Sequence, residues 1–140
     1  MSRQLCRTYT AGRPSQAGFT DVFDDASVRR VEIPFENGRT IPGILQTVPD
    51  VAKSPCVLVI PGMDTIKEYM QSPYHNHFRR RGLAILTIDG PGQGKSKIRE
   101  TWVTFDNFER AGKAAIDFIE TIAELDSSKV CSAICCMAKS

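Results

Sequence analysis

The sequence lacks the features that point to a nucleic acid or a membrane. Its 18 basic and 16 acidic residues leave a net charge of only +2, so no overall field favours an anionic polymer or lipid surface. No apolar run approaches the roughly 20 residues of a membrane-spanning helix. The first residues contain no apolar segment of the kind that directs secretion. We therefore predict neither a nucleic-acid partner nor a membrane partner.

Metal-binding patterns are absent as well. The five cysteines form no C-x-x-C pair, and the two histidines, His75 and His77, have no acid or cysteine nearby at metal-ligand spacing. We therefore predict no metal and no cofactor. Without an export signal, the odd number of cysteines indicates reduced, mostly buried thiols in a cytoplasmic protein.

The first part of the chain contains a loose leader and a hairpin. Residues 1–25 have neither a helical nor a strand period, which predicts a loop or disorder. Apolar and polar residues then alternate over 28–35, and Asn37-Gly38 favours a tight turn before a second strand over 40–47. Pro42-Gly43 predicts that this second strand is bent or lies at a sheet edge.

The pattern after the hairpin is that of an α/β protein. Apolar runs over 56–60, 83–88 and 130–135 predict strands that helices cover on both faces. Helical patterns lie between these runs, over 66–81 and from Asp106 to about Leu125. The alternation predicts right-handed crossovers and a parallel sheet.

The second helix has the clearest start signal. Asp106 and Glu109 have the spacing of a capping box, in which the first acid caps the opening turn and the glutamate reaches back to it. We expect the turn Asp126-Ser127-Ser128 to separate this helix from the third apolar run.

Two strand ends carry candidate chemistry, because ligands of open parallel sheets bind beyond the carboxyl ends of the strands. The first strand stops at Gly62, where a glycine lets the N–H groups of Met63 and Asp64 converge on an oxyanion. The alternative is a plain turn. The second strand stops at 89–96, which reads Asp-Gly-Pro-Gly-Gln-Gly-Lys-Ser.

The Gly-Lys-Ser ending of this second segment suggests a nucleotide-binding module as an alternative. A phosphate loop needs a glycine where Asp89 stands, and Pro91 removes one amide donor. No helix is predicted to begin at Lys95, so a helix dipole is also missing from the expected site. We favour a tight, rigid turn at the strand end.

The third strand end lacks a nucleophile elbow. The motif Gly-x-Ser-x-Gly needs glycines on both sides of a strained turn. Residues 133–140 contain no glycine.

Several segments together resemble one branch of the α/β-hydrolases. They span about Val28 to Val130 and are Val31–Phe35, Ile41–Gly43, Ile60–Thr65, Lys67-Glu68, Arg81–Ala84 and Asp89–Gly94. The branch includes the 2,6-dihydroxypseudooxynicotine hydrolases and the fungal polyketide-shortening hydrolases of pigment pathways. The resemblance implies a partial α/β-hydrolase fold, with a hairpin and three parallel strands joined by crossover helices. Residues 26–140 would form the N-terminal half of that domain.

The resemblance also implies roles for individual residues. Met63 and Asp64 would contribute to the oxyanion hole. Alignment without gaps places Cys136 at the nucleophile position, whereas sliding the alignment by two residues places Ala138 there. No acid or histidine follows in the order that the family requires. The turns that shape the site would be formed by Gly62, Asp89, Gly90, Pro91, Gly92, Gln93 and Gly94.

The function implied by the resemblance is hydrolysis of an ester or a carbon–carbon bond at the carbonyl of a small molecule. The missing elbow and the missing downstream residues indicate a chain that is truncated and inactive as written. A noncatalytic binding fragment that dimerises through an exposed sheet edge is the alternative, and a nucleotide-binding module is a weaker one.

Overall fold

The computed structural model describes residues 26–62, 66–67 and 77–135. Within these residues, the strands of one sheet are β1 (Val28–Pro34), β2 (Thr40–Gln46), β3 (Ser54–Pro61), β4 (Ala84–Ile88) and β5 (Leu125–Cys135). Their order across the sheet is β1-β2-β4-β3-β5. β2 is antiparallel to both β1 and β4, whereas β3 is parallel to both β4 and β5. The predicted hairpin followed by three parallel strands is confirmed.

The helices that the structure describes are α1 (Gly94–Ile98) and α2 (Asn107–Glu120), with single 3-10 turns at Glu36–Gly38 and Arg79–Arg81. The helix predicted over 66–81 lies mostly outside the described residues, and so does the leader predicted over 1–25. α2 connects β4 to β5, as the alternation predicts.

The main core lies between α2 and one face of the sheet. Ala111, Ala115 and Ile119 recur at helical spacing on α2, and each is at most 1% exposed. They pack with apolar side chains from all five strands, among them Ile33, Ile41, Leu45, Leu58, Leu86 and Leu125. A smaller cluster of Val57, Val59 and Ile85 covers part of the other face. Because both faces of β3 and β4 carry apolar side chains, these strands read as continuous apolar runs.

Of the two alternatives predicted for β2, a bend or a position at the sheet edge, the edge position is wrong. β2 runs without a break between β1 and β4. The Pro42 carbonyl accepts the Asp89 N–H at 2.9 Å, just past the Gly43–Ile88 pair that ends the β2–β4 ladder. In an antiparallel strand, the N–H and C=O of one residue point to the same side. The N–H that Pro42 lacks would therefore face Asp89, past the end of β4, so no hydrogen bond of the ladder is lost. Gly43 is tightly enclosed, because a Cβ atom there would lie 3.0–3.3 Å from atoms of Val31, Leu86 and the Thr87 carbonyl.

The predicted capping box is also wrong. Asp106 is the N-cap residue of α2, but its side chain makes no capping hydrogen bond. Its carboxylate pairs instead with Arg110 one turn later. The loop before the helix is held by Asn107, whose Oδ1 accepts the Thr104 N–H at 2.9 Å and whose amide donates to the Trp102 carbonyl at 2.8 Å.

The boundary between α2 and β5 differs from the prediction. α2 ends at Glu120, and Leu125 already belongs to β5. The expected turn at Asp126–Ser128 is an irregularity inside the strand, because Pro55 pairs with Asp126 whereas the next residue, Cys56, pairs with Val130. Extra residues on one strand of a ladder form a bulge, which a turn-like sequence accommodates well.

Gly112 provides a test of the α2 assignment. It lies inside the helix, and a Cβ atom added there would meet nothing within 4 Å. Because glycine is a poor helix former, Gly112→Ala is expected to raise the free energy of unfolding by about 0.5–1 kcal/mol. Urea denaturation followed by circular dichroism measures this change. A loss of stability would contradict the open helical environment.

Candidate active site

The ends of β3 and β4 are joined by the side chain of Gln93. Its Nε2 donates to the Pro61 carbonyl at 2.5 Å and to the Gly62 carbonyl at 3.2 Å. Its Oε1 accepts the Gly90 N–H at 2.8 Å. Only 2% of Gln93 is exposed, so water does not compete for these bonds. The two predicted turns therefore meet at one edge of the sheet, where the parallel strands end.

Asp89, the first residue after β4, makes a second connection. It is fully buried, and its Oδ1 accepts the Lys67 N–H at 2.8 Å. Its Oδ2 accepts the Lys67 ammonium at 2.5 Å and the Lys95 N–H at 3.0 Å. The Ser96 hydroxyl donates to the Asp89 carbonyl at 2.6 Å. A buried charge needs such compensation, and Lys67 supplies the opposite charge.

Gly92 and Gly94 allow the chain to turn closely around Asp89. Their φ angles of 76° and 38° are in the left-handed region that favours glycine. A Cβ atom at Gly94 would overlap the carboxylate of Asp89, and one at Gly92 would contact Val103. The Gly92 N–H donates to the Thr101 carbonyl at 2.7 Å, which holds the following loop against the turn.

The same contacts argue against the phosphate-loop interpretation. Contrary to prediction, a short helix does begin at Gly94. However, the Lys95 N–H and the Ser96 hydroxyl are both bonded to Asp89, and Ser96 is fully buried. A phosphate at this helix start would meet a carboxylate that already occupies the position of an anion. The Asp89 carboxylate thus occupies the place at the helix start that a bound anion would take.

β5 ends beside β3 at this edge. Cys135, the last residue of β5, pairs with Pro61, the last residue of β3. The end of β5, which precedes the predicted nucleophile position, therefore lies beside the end of β3, which precedes the predicted oxyanion loop. The residues predicted for those roles, Met63, Asp64 and Cys136, lie outside the described residues.

The prediction of mostly buried thiols is tested at two of the five cysteines, Cys56 and Cys131. Cys56 is a free thiol, 1% exposed, and burial raises its pKa to about 12, so it is not a nucleophile at neutral pH. Cys131 is also free but exposed. Of the two histidines, His77 is exposed and His75 lies outside the described residues.

A polar cluster fastens the hairpin to α1. The carboxylate of Glu32 on β1 accepts two bonds from Arg99, at 2.7 and 2.9 Å, and one from the Thr40 hydroxyl at 2.7 Å. The Lys95 ammonium lies 3.8 Å from the same carboxylate. Chiefly through the Arg99 hydrogen bonds, this environment lowers the pKa of Glu32 to about 2.

The lowered pKa of Glu32 predicts a pH-dependent stability. A carboxyl group with a depressed pKa in the folded state stabilises it above its ordinary value of 4.5, and this contribution is lost as the pH falls toward about 2. The side chain is 45% exposed, so solvent screening limits the effect to about 1 kcal/mol. We expect Glu32→Gln to unfold at lower urea than the parent at pH 6, and the gap to close near pH 2. An equal gap at both pH values would contradict this.

Neither a metal cluster nor a membrane helix is found in the part of the chain that the structure describes. No three histidine, cysteine or acidic side chains there are grouped so as to hold a metal ion. None of the helices in those residues is long and apolar enough to cross a bilayer.

Three features together define the α/β-hydrolase class: the strand order, the antiparallel hairpin, and the turns at the carboxyl ends of the parallel strands. Similarity to known proteins identifies a family within this class. The family model described as "Esterase FrsA-like" matches residues 21–121. The chain therefore belongs to the FrsA-like esterase family.

Individual relatives agree with this assignment. The chain is 33% identical to the alpha/beta hydrolase pydG of Acremonium sp over 107 residues, which are 74% of the chain and 25% of the relative. It is 32% identical to the alpha/beta hydrolase xenA of Xenoacremonium sinensis, over 78% of the chain and 28% of the relative. The chain thus spans about a quarter of the length of these curated relatives.

Solved structures support the fold. The 2,6-dihydroxy-pseudo-oxynicotine hydrolase aligns with a TM-score of 0.67 at 22% identity, over 76% of this chain and 29% of that one. Est1E of Butyrivibrio proteoclasticus aligns with a TM-score of 0.61 at 18% identity, over 74% of this chain and 41% of that one. Both alignments support the predicted α/β fold.

Proposed function

We propose that this chain supplies the oxyanion side of a hydrolase that cleaves an ester or a carbon–carbon bond at a carbonyl. In this proposal, the N–H groups of Met63 and Asp64 stabilise the negative charge that develops on the carbonyl oxygen. The observation that carries it is the Gln93 carboxamide, which bonds both carbonyl groups immediately before these residues. Membership of the FrsA-like family supports the same reaction class.

The nucleophile would come from the neighbouring strand. We assign its position to Cys136, by the gapless alignment, because Cys135 pairs directly with Pro61. A thiolate at this point would form a C–S bond to the carbonyl carbon while the C=O π electrons move to the oxygen, where the N–H groups would bind the resulting negative charge. The 140 residues contain no Gly-x-Ser-x-Gly motif. For this reason we propose that the chain alone does not turn over substrate.

An apolar part of the substrate would suit the loop beside the turn. Trp102 and Val103 are 58% and 48% exposed, and Phe105 is fully exposed. Val103 lies against Gly92, so the loop borders the edge where the strands end. Clustered exposed apolar side chains favour binding of an apolar group. We propose a small carbonyl or ester substrate with an apolar ring or chain.

A chimaera tests the hydrolase assignment. Residues 28–130 would replace the matching stretch of the alpha/beta hydrolase pydG, which supplies the remainder of the fold. The chimaera is expected to hydrolyse a chromogenic ester above the uncatalysed rate. A matched chimaera with Gln93→Leu is expected to fold but to lose at least about tenfold in kcat, since one misplaced oxyanion donor alone costs more than this. A folded, inactive parental chimaera would contradict the proposal.

The 140-residue chain itself tests the proposed inactivity. We expect no ester turnover above background, and we expect iodoacetamide to alkylate the native protein at Cys131 but not at buried Cys56. Ester turnover that disappears in Cys136→Ala would overturn the proposed inactivity and identify Cys136 as the nucleophile.

A noncatalytic role as a dimerising fragment is the second candidate. Within the described residues, the 11-residue strand β5 pairs only with β3, so one of its edges has no partner there. An open edge of this length is a template for pairing with another strand. Sedimentation equilibrium of the chain tests this, since a monomer at high micromolar concentration would exclude it.

The cytoplasmic location and the extent of the unit over 26–140 remain predictions.

A further inference from the structure

A cleft of about 280 Å³ lies between the hairpin turn at Glu36–Gly38, the loop over 99–106 and the start of α2. Its lining includes two aromatic side chains, Phe35 and Trp102, and two cationic ones, Arg39 and Arg110. Small-molecule sites commonly combine aromatic surface with a few polar groups that fix the orientation of the ligand.

Contacts within the chain join the three walls of this cleft. Between the hairpin turn and α2, Arg110 pairs with Glu36. Between the hairpin and the loop, the Arg39 guanidinium donates to the Glu100 carbonyl at 3.0 Å. Between the loop and α2, the Asn107 side-chain amide donates to a loop carbonyl at 2.8 Å. The cleft is therefore preformed, which lowers the entropic cost of binding a ligand there.

Arg39 supplies a positive charge that the described part of the chain does not neutralise. No carboxylate of the described residues pairs with its guanidinium, which bonds the Glu100 carbonyl instead. Arg110, by contrast, is neutralised by Glu36 and Asp106. The carboxylate of Glu100 belongs to an exposed residue, so solvent and salt screen its charge. Because a guanidinium can donate two parallel N–H bonds to a carboxylate, Arg39 favours an acidic ligand group.

The remaining lining suits an aromatic ring and a hydrogen-bonding group. Trp102 is 58% exposed, whereas Phe35 packs partly against the core, so both offer aromatic surface in the cleft. Thr101 also lines the cleft, is 3% exposed, and has a hydroxyl that makes no hydrogen bond. A buried hydroxyl without a partner is costly, and a ligand oxygen at this wall would reduce that cost.

We propose that this cleft binds a small aromatic carboxylate, with Arg39 bonded to the carboxylate group and Trp102 against the ring. The volume is close to the lower limit for small-molecule sites, which favours a ligand with a single ring. Binding here requires neither the oxyanion loop nor the nucleophile position, and it therefore does not depend on the proposed function.

Fluorescence of the 140-residue chain tests this binding, because Trp102 is the only tryptophan in the sequence. Benzoate is the probe, benzamide is its uncharged counterpart of similar shape, and N-acetyltryptophanamide corrects for absorption by either compound. We expect a saturable change of emission with benzoate, at a Kd at least about tenfold below that of benzamide, since only benzoate pairs with the guanidinium. No saturable response to benzoate, or equal affinity for the two compounds, would overturn the proposal.

Arg39→Gln separates recognition of charge from the shape of the cleft. It is expected to raise the Kd of benzoate about tenfold and that of benzamide by less than about twofold, because only the charged ligand loses its partner. Arg80→Gln is the matched control, at an exposed arginine that does not line the cleft, and it is expected to change neither Kd. Equal weakening of both compounds by Arg39→Gln, or equal weakening of benzoate binding by the two variants, would overturn the proposed recognition.

Discussion

Asp89→Asn is expected to lower the free energy of unfolding by about 3–5 kcal/mol, the cost of removing one partner from a buried ion pair. The change leaves the ammonium of Lys67, which is buried with its side chain 2% exposed, without a negative charge. It also replaces an oxygen that accepts hydrogen bonds by an NH₂ group. The new NH₂ group then faces one of the donors around the carboxylate, such as the Lys67 ammonium or the Lys95 N–H, and cannot accept its hydrogen bond. Urea denaturation measures the loss.

Glu124→Gln is the matched control for Asp89→Asn. It removes the acidic partner of Arg29 from a pair with a similar distance, 2.7 Å, but with side chains 44% and 53% exposed. Water compensates exposed charges, so the expected loss is below about 1 kcal/mol. Equal losses in the two variants would show that Asp89 is not buried against Lys67.

Gly94→Ala is expected to have the second largest effect, a loss of about 2–4 kcal/mol. Two costs add: an L side chain at a φ of 38°, about 1 kcal/mol, and a collision of the new methyl group with the Asp89 carboxylate. The collision cannot be relieved by rotating a long side chain, because Asp89 is bonded to Lys67 and Lys95. The turn must open, and chemical denaturation reports the loss.

Gly82→Ala isolates the first of these two costs. Gly82 has a φ of 77°, and a Cβ atom there would meet nothing within 4 Å. Its replacement is expected to cost only about 1 kcal/mol, from backbone conformation alone. If Gly94→Ala were no more costly than Gly82→Ala, the close approach of Gly94 to Asp89 would be wrong.

Features that depend on neighbouring residues could be predicted from the sequence. The Asn37-Gly38 turn is one, because Asn37 and Gly38 adopt φ angles of 55° and 69° that few other residues tolerate. The apolar runs of β3 and β4 are another, since continuous burial leaves a continuous pattern. The turn after β4 is a third, and its Gln93 contacts the end of β3. The site-shaping role of this turn stays a prediction.

Features that depend on distant contacts could not be predicted in this way. Lys67 and Asp89 are 22 residues apart, and no local pattern marks a lysine that will be buried. Pro42 suggested an edge because its neighbours in the sheet are not visible in the sequence. The capping box at Asp106 failed for a similar reason, since Arg110 and Thr104 compete for the carboxylate.

The proposed site depends on Gln93 joining the ends of two parallel strands. A nuclear Overhauser experiment on the isotopically labelled chain tests this contact directly, by measuring transfer between the Gln93 side-chain amide protons and the α protons of Pro61 and Gly62. The contact at 2.5 Å between Nε2 and the Pro61 oxygen predicts clear cross-peaks to both residues. Assigned resonances without any transfer between them would place the two turns apart and contradict the hydrolase site.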